Sequence, residues 1–154
     1  MNIAYPLTIY FDASCVLCYS EMQSIKHNDA DNRLILVDCS TPEFNDSEFQ
    51  KQGVTRDAMM NCLHAQDAQG NWLKGVTAFE IIYRSVGMTT IAKLWGHPLI
   101  RPLAERAYPW IARNRHILSA LGLNKVFHFL SKRAARKANL RSQKCRGGSC
   151  SLPK

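Results

Sequence analysis

Leu7-Thr8-Ile9-Tyr10-Phe11-Asp12-Ala13-Ser14-Cys15-Val16-Leu17-Cys18 is the stretch that decides the fold. Leu7 to Phe11 is a short β-rich run after Pro6, which predicts a first strand. Asp12-Ala13-Ser14 predicts a turn, and Asp12 or Ser14 is able to cap the element that follows. From Cys15 to about Lys26 the apolar residues Val16, Leu17, Met22 and Ile25 suit a helix. A dithiol therefore sits where a strand hands over to a helix.

Further along, Asn28 to Asn32 breaks the helix, and Leu34-Ile35-Leu36-Val37 has the continuous apolar character of a strand buried on both faces. A strand–helix–strand unit with so short a crossover implies a parallel pair and an α/β class. Residues 43–58 carry Phe44, Phe49 and Val54 among polar residues and predict one or two short helices. Met59 to Ala65 reads as a strand, 67–71 as a turn, and Trp72 to Val76 as the returning hairpin strand. Thr77 is a good N-cap for a helix carrying Ala78, Phe79, Ile81, Ile82 and Val86, with Gly87 as its stop. Strand–helix–strand–helix–hairpin–helix is the order of a thioredoxin. The expected architecture is a three-layer α/β sandwich with a mixed four-stranded sheet. Ile91, Leu94 and Trp95, then Leu99 to Ile111, continue at helical spacing, and Pro109 is expected to kink or divide that stretch. Val126, Phe127 and Leu130 form another apolar stripe before the basic run 132–137. The chain thus divides into a core at 1–90, a helical basic extension at 91–140 packing on it, and a flexible cysteine-containing tail at 141–154.

With 154 residues, 46% of them hydrophobic, one domain with a proper core is expected. The N-terminus lacks a basic region followed by a long apolar stretch, and no apolar run approaches the roughly 20 residues that span a bilayer. The expected location is the cytoplasm. Its reducing conditions argue against the six cysteines forming a structural disulfide framework. Charge is unevenly spread, with a net −5 over residues 1–92 and +13 over 93–154. Such asymmetry suits an anionic partner, or a solvated charged face.

The dithiol has a specific use. A cysteine at a helix start lies where unpaired N–H groups and the positive end of the helix dipole converge, which favours thiolate over thiol. Cys15 is the expected nucleophile. Cys18, one turn along, is the expected resolving thiol. Asp12 is placed either to accept a proton during exchange or to cap the turn. The proposed reaction is dithiol–disulfide exchange with a protein or low-molecular-weight thiol or disulfide, and it requires no cofactor.

Phe11 to Cys18 resembles the opening motif of the DCC family of thiol–disulfide oxidoreductases, named for its Asp-Cys-Cys signature. Leu36-Val37-Asp38, Gly70 through Ala78, and Tyr108-Pro109-Trp110-Ile111-Ala112-Arg113-Asn114-Arg115 are similar to it too, so that the likeness runs over roughly residues 5–118. The dithiol motif and the Ala-Arg-Asn-Arg stretch are its most specific parts. The resemblance implies a thioredoxin-like fold and oxidoreductase activity, with Asp12, Cys15 and Cys18 as signature residues. It also shows departures. Ala13 replaces a common glycine, so the turn must avoid a strongly positive φ. Val16-Leu17 replaces the Gly-Pro of thioredoxins. No proline lies between Pro42 and Pro98, so the cis-proline that faces the dithiol in thioredoxins is absent. Its place is expected near Met59 or Met60.

Other cysteines carry other readings. Cys39 and Cys62 fit buried core positions. Cys145 and Cys150 flank Gly147-Gly148 in the basic tail and form a possible auxiliary redox pair that exchanges electrons with Cys15 and Cys18. The chief alternative is a zinc or iron–sulfur protein holding its metal with Cys15, Cys18, Cys145 and Cys150. A further alternative is a nucleic-acid or anionic-membrane binding module built on residues 101–146. The histidines at 27, 64, 97, 116 and 128 form no metal-binding pair and read as surface or core residues.

Overall fold

The computed structural model describes residues 3–121. The elements run β1 (Leu7–Phe11), α1 (Val16–His27), β2 (Leu34–Asp38), α2 (Ser47–Gln50), α3 (Arg56–Asn61), β3 (His64–Gln66), β4 (Trp72–Lys74), α4 (Gly75–Ser85), α5 (Thr89–Trp95) and α6 (Arg101–Ala120). The sheet order is β2-β1-β3-β4. β1 pairs parallel with β2, Leu7 opposite Leu34, and antiparallel with β3, Ile9 opposite Ala65. β3 and β4 close an antiparallel hairpin. This is a mixed, thioredoxin-like α/β sheet.

The period of two along β1 separates the faces. Leu7, Ile9 and Phe11 point into a core with Met22 and Ile25 of α1 and Phe79, Ile82 and Tyr83 of α4. Tyr10 points the other way, toward Cys39, Val54 and Met59, with Phe44, Phe49 and Trp72 packed around them. Its ring meets Phe49 edge-on with centroids 5.4 Å apart. β1 is thus covered on both sides and has a partner at both edges. Its C-terminal end is where the dithiol turn begins.

Several expectations change. β2 is an edge strand, and Ile35 is 47% exposed, so the run 34–37 is not buried on both faces. An apolar run reports β-propensity and does not reveal which strand has a neighbour on each side. Met59 and Met60 belong to α3, not to a strand, and β3 begins at His64. The Thr55 hydroxyl caps α3 by accepting the Ala58 N–H at 3.2 Å. The residue just before β3 is therefore Leu63, not Met59 or Met60. Thr77 is not an N-cap: α4 begins at Gly75, and the Thr77 hydroxyl accepts from Arg101 at 2.9 Å. Gly75, at φ +56°, lets β4 turn directly into the helix. Pro109 does not divide its helix, since α6 runs unbroken from Arg101 to Ala120. Pro109 lies exposed, while Tyr108 and Ala112 face inward and hold both halves to the core. Ala13, as expected, has no positive φ. The stripe at 126–130, the basic run at 132–137, Cys145 and Cys150 lie outside the described residues. No helix among the described residues is long and apolar enough to cross a membrane.

Candidate active site

Cys15 is itself the N-cap of α1. Its extended backbone turns the side chain back over the first helical turn, where Sγ accepts the Cys18 N–H at 3.5 Å. The Cys18 thiol also hydrogen-bonds to it, and that bond is the largest influence on Cys15. Burial works against ionisation. The Cys18 N–H and the charges of His116 and Arg115 work for it, and the Cys15 thiol is brought down to about 6. Cys18 moves the opposite way, far above the ordinary thiol range, because its proton is held by Cys15 and because it is buried beside that charge. The two cysteines are therefore unlike in kind: one a ready thiolate, the other a thiol that keeps its proton. The more acidic cysteine is also the more covered, with Cys15 0% exposed and Cys18 half-buried.

Asp12 ends the strand side of the turn. Its carboxylate accepts from the Ser14 N–H at 3.0 Å and from the Ser14 hydroxyl. Across the fold, Arg115 of α6 donates to its other oxygen at 2.6 Å. His116 Nε2 lies 3.5 Å from the same oxygen. Burial opposes the charge, but the Ser14 hydroxyl and the Arg115 guanidinium outweigh it and hold Asp12 below the usual carboxylate range. Asp12 thus caps the dithiol turn and anchors Arg115 next to it. Asp38, at the end of β2, accepts the Ala13 N–H at 3.2 Å and fixes the turn from the other side.

Beside Cys18 is a cavity of about 130 Å³. Leu17, Met59, Met60 and Trp95 make much of its apolar wall, while Cys18, Glu21, Cys62 and Arg115 supply polar groups. Glu21 lies one turn beyond Cys18 on α1 and accepts from the Tyr83 hydroxyl at 2.6 Å. Burial drives its carboxyl up to about 7 despite that bond. The Tyr108 hydroxyl accepts the Leu63 N–H at 2.9 Å, which ties α6 to the start of β3.

Of the residues expected at the site, Asp12, Cys15 and Cys18 come together. Cys39 is a core thiol, pushed up to about 12 by burial and by Asp38. Cys62 is half-buried and shares the cavity with Cys18, so the expectation of a buried core position holds for Cys39 and not for Cys62. Glu21 joins the site without having been among the expected residues, although a carboxylate three residues after Cys18 on the apolar side of a helix is a legible signal. His116, expected as an ordinary surface or core residue, lies at the site beside Asp12. Nothing local in the sequence brings Arg115 to Asp12, 103 residues away. Among the described residues no group of three or more His, Cys, Asp and Glu side chains is placed to hold a metal ion. The four-thiolate alternative and the auxiliary pair both depend on Cys145 and Cys150, outside those residues.

A model of the DCC1-like thiol-disulfide oxidoreductase family matches residues 9–121. The chain belongs to that family. The match runs from β1 to the end of α6, so it takes in the dithiol turn of this DCC1-like protein and the helix that brings Arg115 to it. An uncharacterized chloroplastic protein of Arabidopsis thaliana is 27% identical over 112 residues, covering 72% of this chain and 51% of that protein. The chain spans about half the length of this curated relative. No solved structure matches the chain.

Proposed function

We propose that this DCC1-like protein exchanges its Cys15/Cys18 dithiol with a disulfide of a protein or low-molecular-weight partner. The observation that carries the reading is the Cys15 sulfur at the α1 N-cap, accepting the Cys18 N–H at 3.5 Å. The Cys15 thiolate attacks one sulfur of the partner disulfide, forming a mixed disulfide and releasing the first partner thiolate. Cys18 then gives up its proton, with Glu21 in the shared cavity as the acceptor. Its sulfur attacks Cys15 Sγ, closes the Cys15–Cys18 disulfide and releases the second partner thiolate. The partner gains two electrons and the dithiol loses them. The reverse sequence oxidises a partner dithiol.

Asp12 acts in this scheme by holding Arg115 in place, where its charge favours the Cys15 thiolate. Because Cys15 is covered, attack follows a local opening over its sulfur. The reducing environment of the cytoplasm is the setting we propose, and residence of the tagged protein elsewhere overturns that assignment.

Trapping tests the reaction. Cys18→Ser leaves the mixed disulfide unresolved, so a partner is expected to be retained on Cys15 and released by reductant. A Cys18→Ser protein that captures no partner under oxidising or reducing conditions overturns the reading.

A further inference from the structure

The cavity next to Cys18 and the guanidinium of Arg115 have a joint use beyond holding a thiolate. Leu17, Met59, Met60 and Trp95 give the cavity an apolar wall, and the unbranched methionines adapt to different shapes. Its volume of about 130 Å³ suits one branched or aromatic side chain. It does not end inside the core, for Ile111 in its lining is 39% exposed. Arg115 lines it too. Of the guanidinium nitrogens, Nη2 donates to Asp12 at 2.6 Å and Nη1 to the Ala112 carbonyl at 3.3 Å. Nε is buried and has no hydrogen-bond partner among the described residues. Buried donors are rarely left so, and one beside an apolar pocket calls for an acceptor brought in with the occupant.

We propose that this cavity is a specificity pocket for an apolar side chain adjacent to a half-cystine of a peptide partner, whose backbone carbonyl accepts from Arg115 Nε–H. The proposal rests on the exchange reading. When the partner's sulfur is at Cys15, the neighbouring residue's Cα is about 3.8 Å from the half-cystine's own. Its side chain and the intervening carbonyl then arrive together, one at the apolar wall and the other at Nε. A small polar disulfide would supply neither.

The test follows single-turnover oxidation of the reduced full chain, read as the loss of alkylatable Cys15 and Cys18 by mass spectrometry. Four disulfides are compared: those of N-acetyl-Cys-Phe-amide, N-acetyl-Cys-Ser-amide, 2-phenylethanethiol and 2-mercaptoethanol. Each rate is divided by that of the same disulfide with dithiothreitol, which removes intrinsic reactivity. The Phe peptide is expected to react at least about tenfold faster than the Ser peptide. The phenylethyl disulfide, a ring without an amide, is expected to fall between them. If it matches or exceeds the Phe peptide, the carbonyl contact and the peptide partner are overturned in favour of a simple apolar thiol. Met60→Trp, which fills the cavity, should bring the Phe-to-Ser ratio toward one. Arg115→Lys keeps a cation facing Asp12 but removes Nε–H, and should erase the advantage of the Phe peptide over the phenylethyl disulfide. Ratios that neither variant changes overturn the pocket. Oxidation by all four disulfides at rates within about twofold of one another also overturns it and leaves exchange intact. Should no disulfide oxidise Cys15 and Cys18, the exchange reading fails and the pocket falls with it.

Discussion

Cys15 combines two properties that usually exclude each other. Covering a thiol ordinarily raises its pKa, because the thiolate loses water. Here the Cys18 thiol and N–H replace that water, with Arg115 and His116 nearby, and the sulfur ionises at about 6. Iodoacetamide modification of Cys15 should therefore show a midpoint near pH 6, with a plateau slower than that of an exposed thiolate because opening limits access. Arg115→Met with His116→Asn should move the midpoint upward, since both charges favour the thiolate. A wild-type midpoint close to the ordinary 9.0 would contradict the geometry described.

At the scale of elements, two contacts on α6 and α4 hold the walls of the site. Gly75 begins α4 at φ +56°, and its N–H donates to the Leu63 carbonyl at 2.9 Å. Replacing it with alanine forces an L-residue into the left-handed region, at a cost of about 1–2 kcal/mol. Urea unfolding should register that loss, and a Gly75→Ala protein as stable as wild type would refute it. The Tyr108 hydroxyl is the acceptor for the Leu63 N–H. Tyr108→Phe strands that donor and should cost about 1–3 kcal/mol, read in the same titration. The substitution keeps the ring that packs edge-on against Phe79 at a centroid distance of 5.7 Å, so the effect reports the hydroxyl.

For the whole molecule, the site should leave its mark on stability against pH. In the reduced folded protein Cys15 ionises at about 6 rather than at 9.0. Between those values the unfolded chain binds more protons, so stability rises with pH there and is lost again as pH falls through about 6. Glu21 acts with the opposite sign. Its carboxyl titrates at about 7 when folded and at 4.5 ordinarily, so its contribution is full below 4.5 and declines as pH rises to about 7. Denaturant unfolding in reducing buffer from about pH 4 to pH 9 should show both limbs. Glu21→Gln should abolish the decline and Cys15→Ser the rise. A variant curve parallel to wild type across its own window would show that its group does not titrate as described.

Local residue pattern was enough to place β1, the dithiol turn and α1, because each depends on near neighbours: β-propensity at 7–11, a capping turn at 12–14, and helical spacing beyond. It was also enough to pair Cys15 with Cys18, since one helical turn brings them together whatever else the chain does. Tertiary structure alone decided the rest. The edge position of β2, the helical state of Met59 and Met60, and the start of α4 at Gly75 depend on which neighbours cover each segment, and propensity does not encode that. The deepest case is the site itself. A thiolate at Cys15 was legible from a helix start, but its burial, the Asp12–Arg115 ion pair and the cavity shared by Cys18, Glu21 and Cys62 depend on segments far apart in the chain. Burial and charge pairing are properties of where side chains meet in space, and only the packed fold brings those segments together.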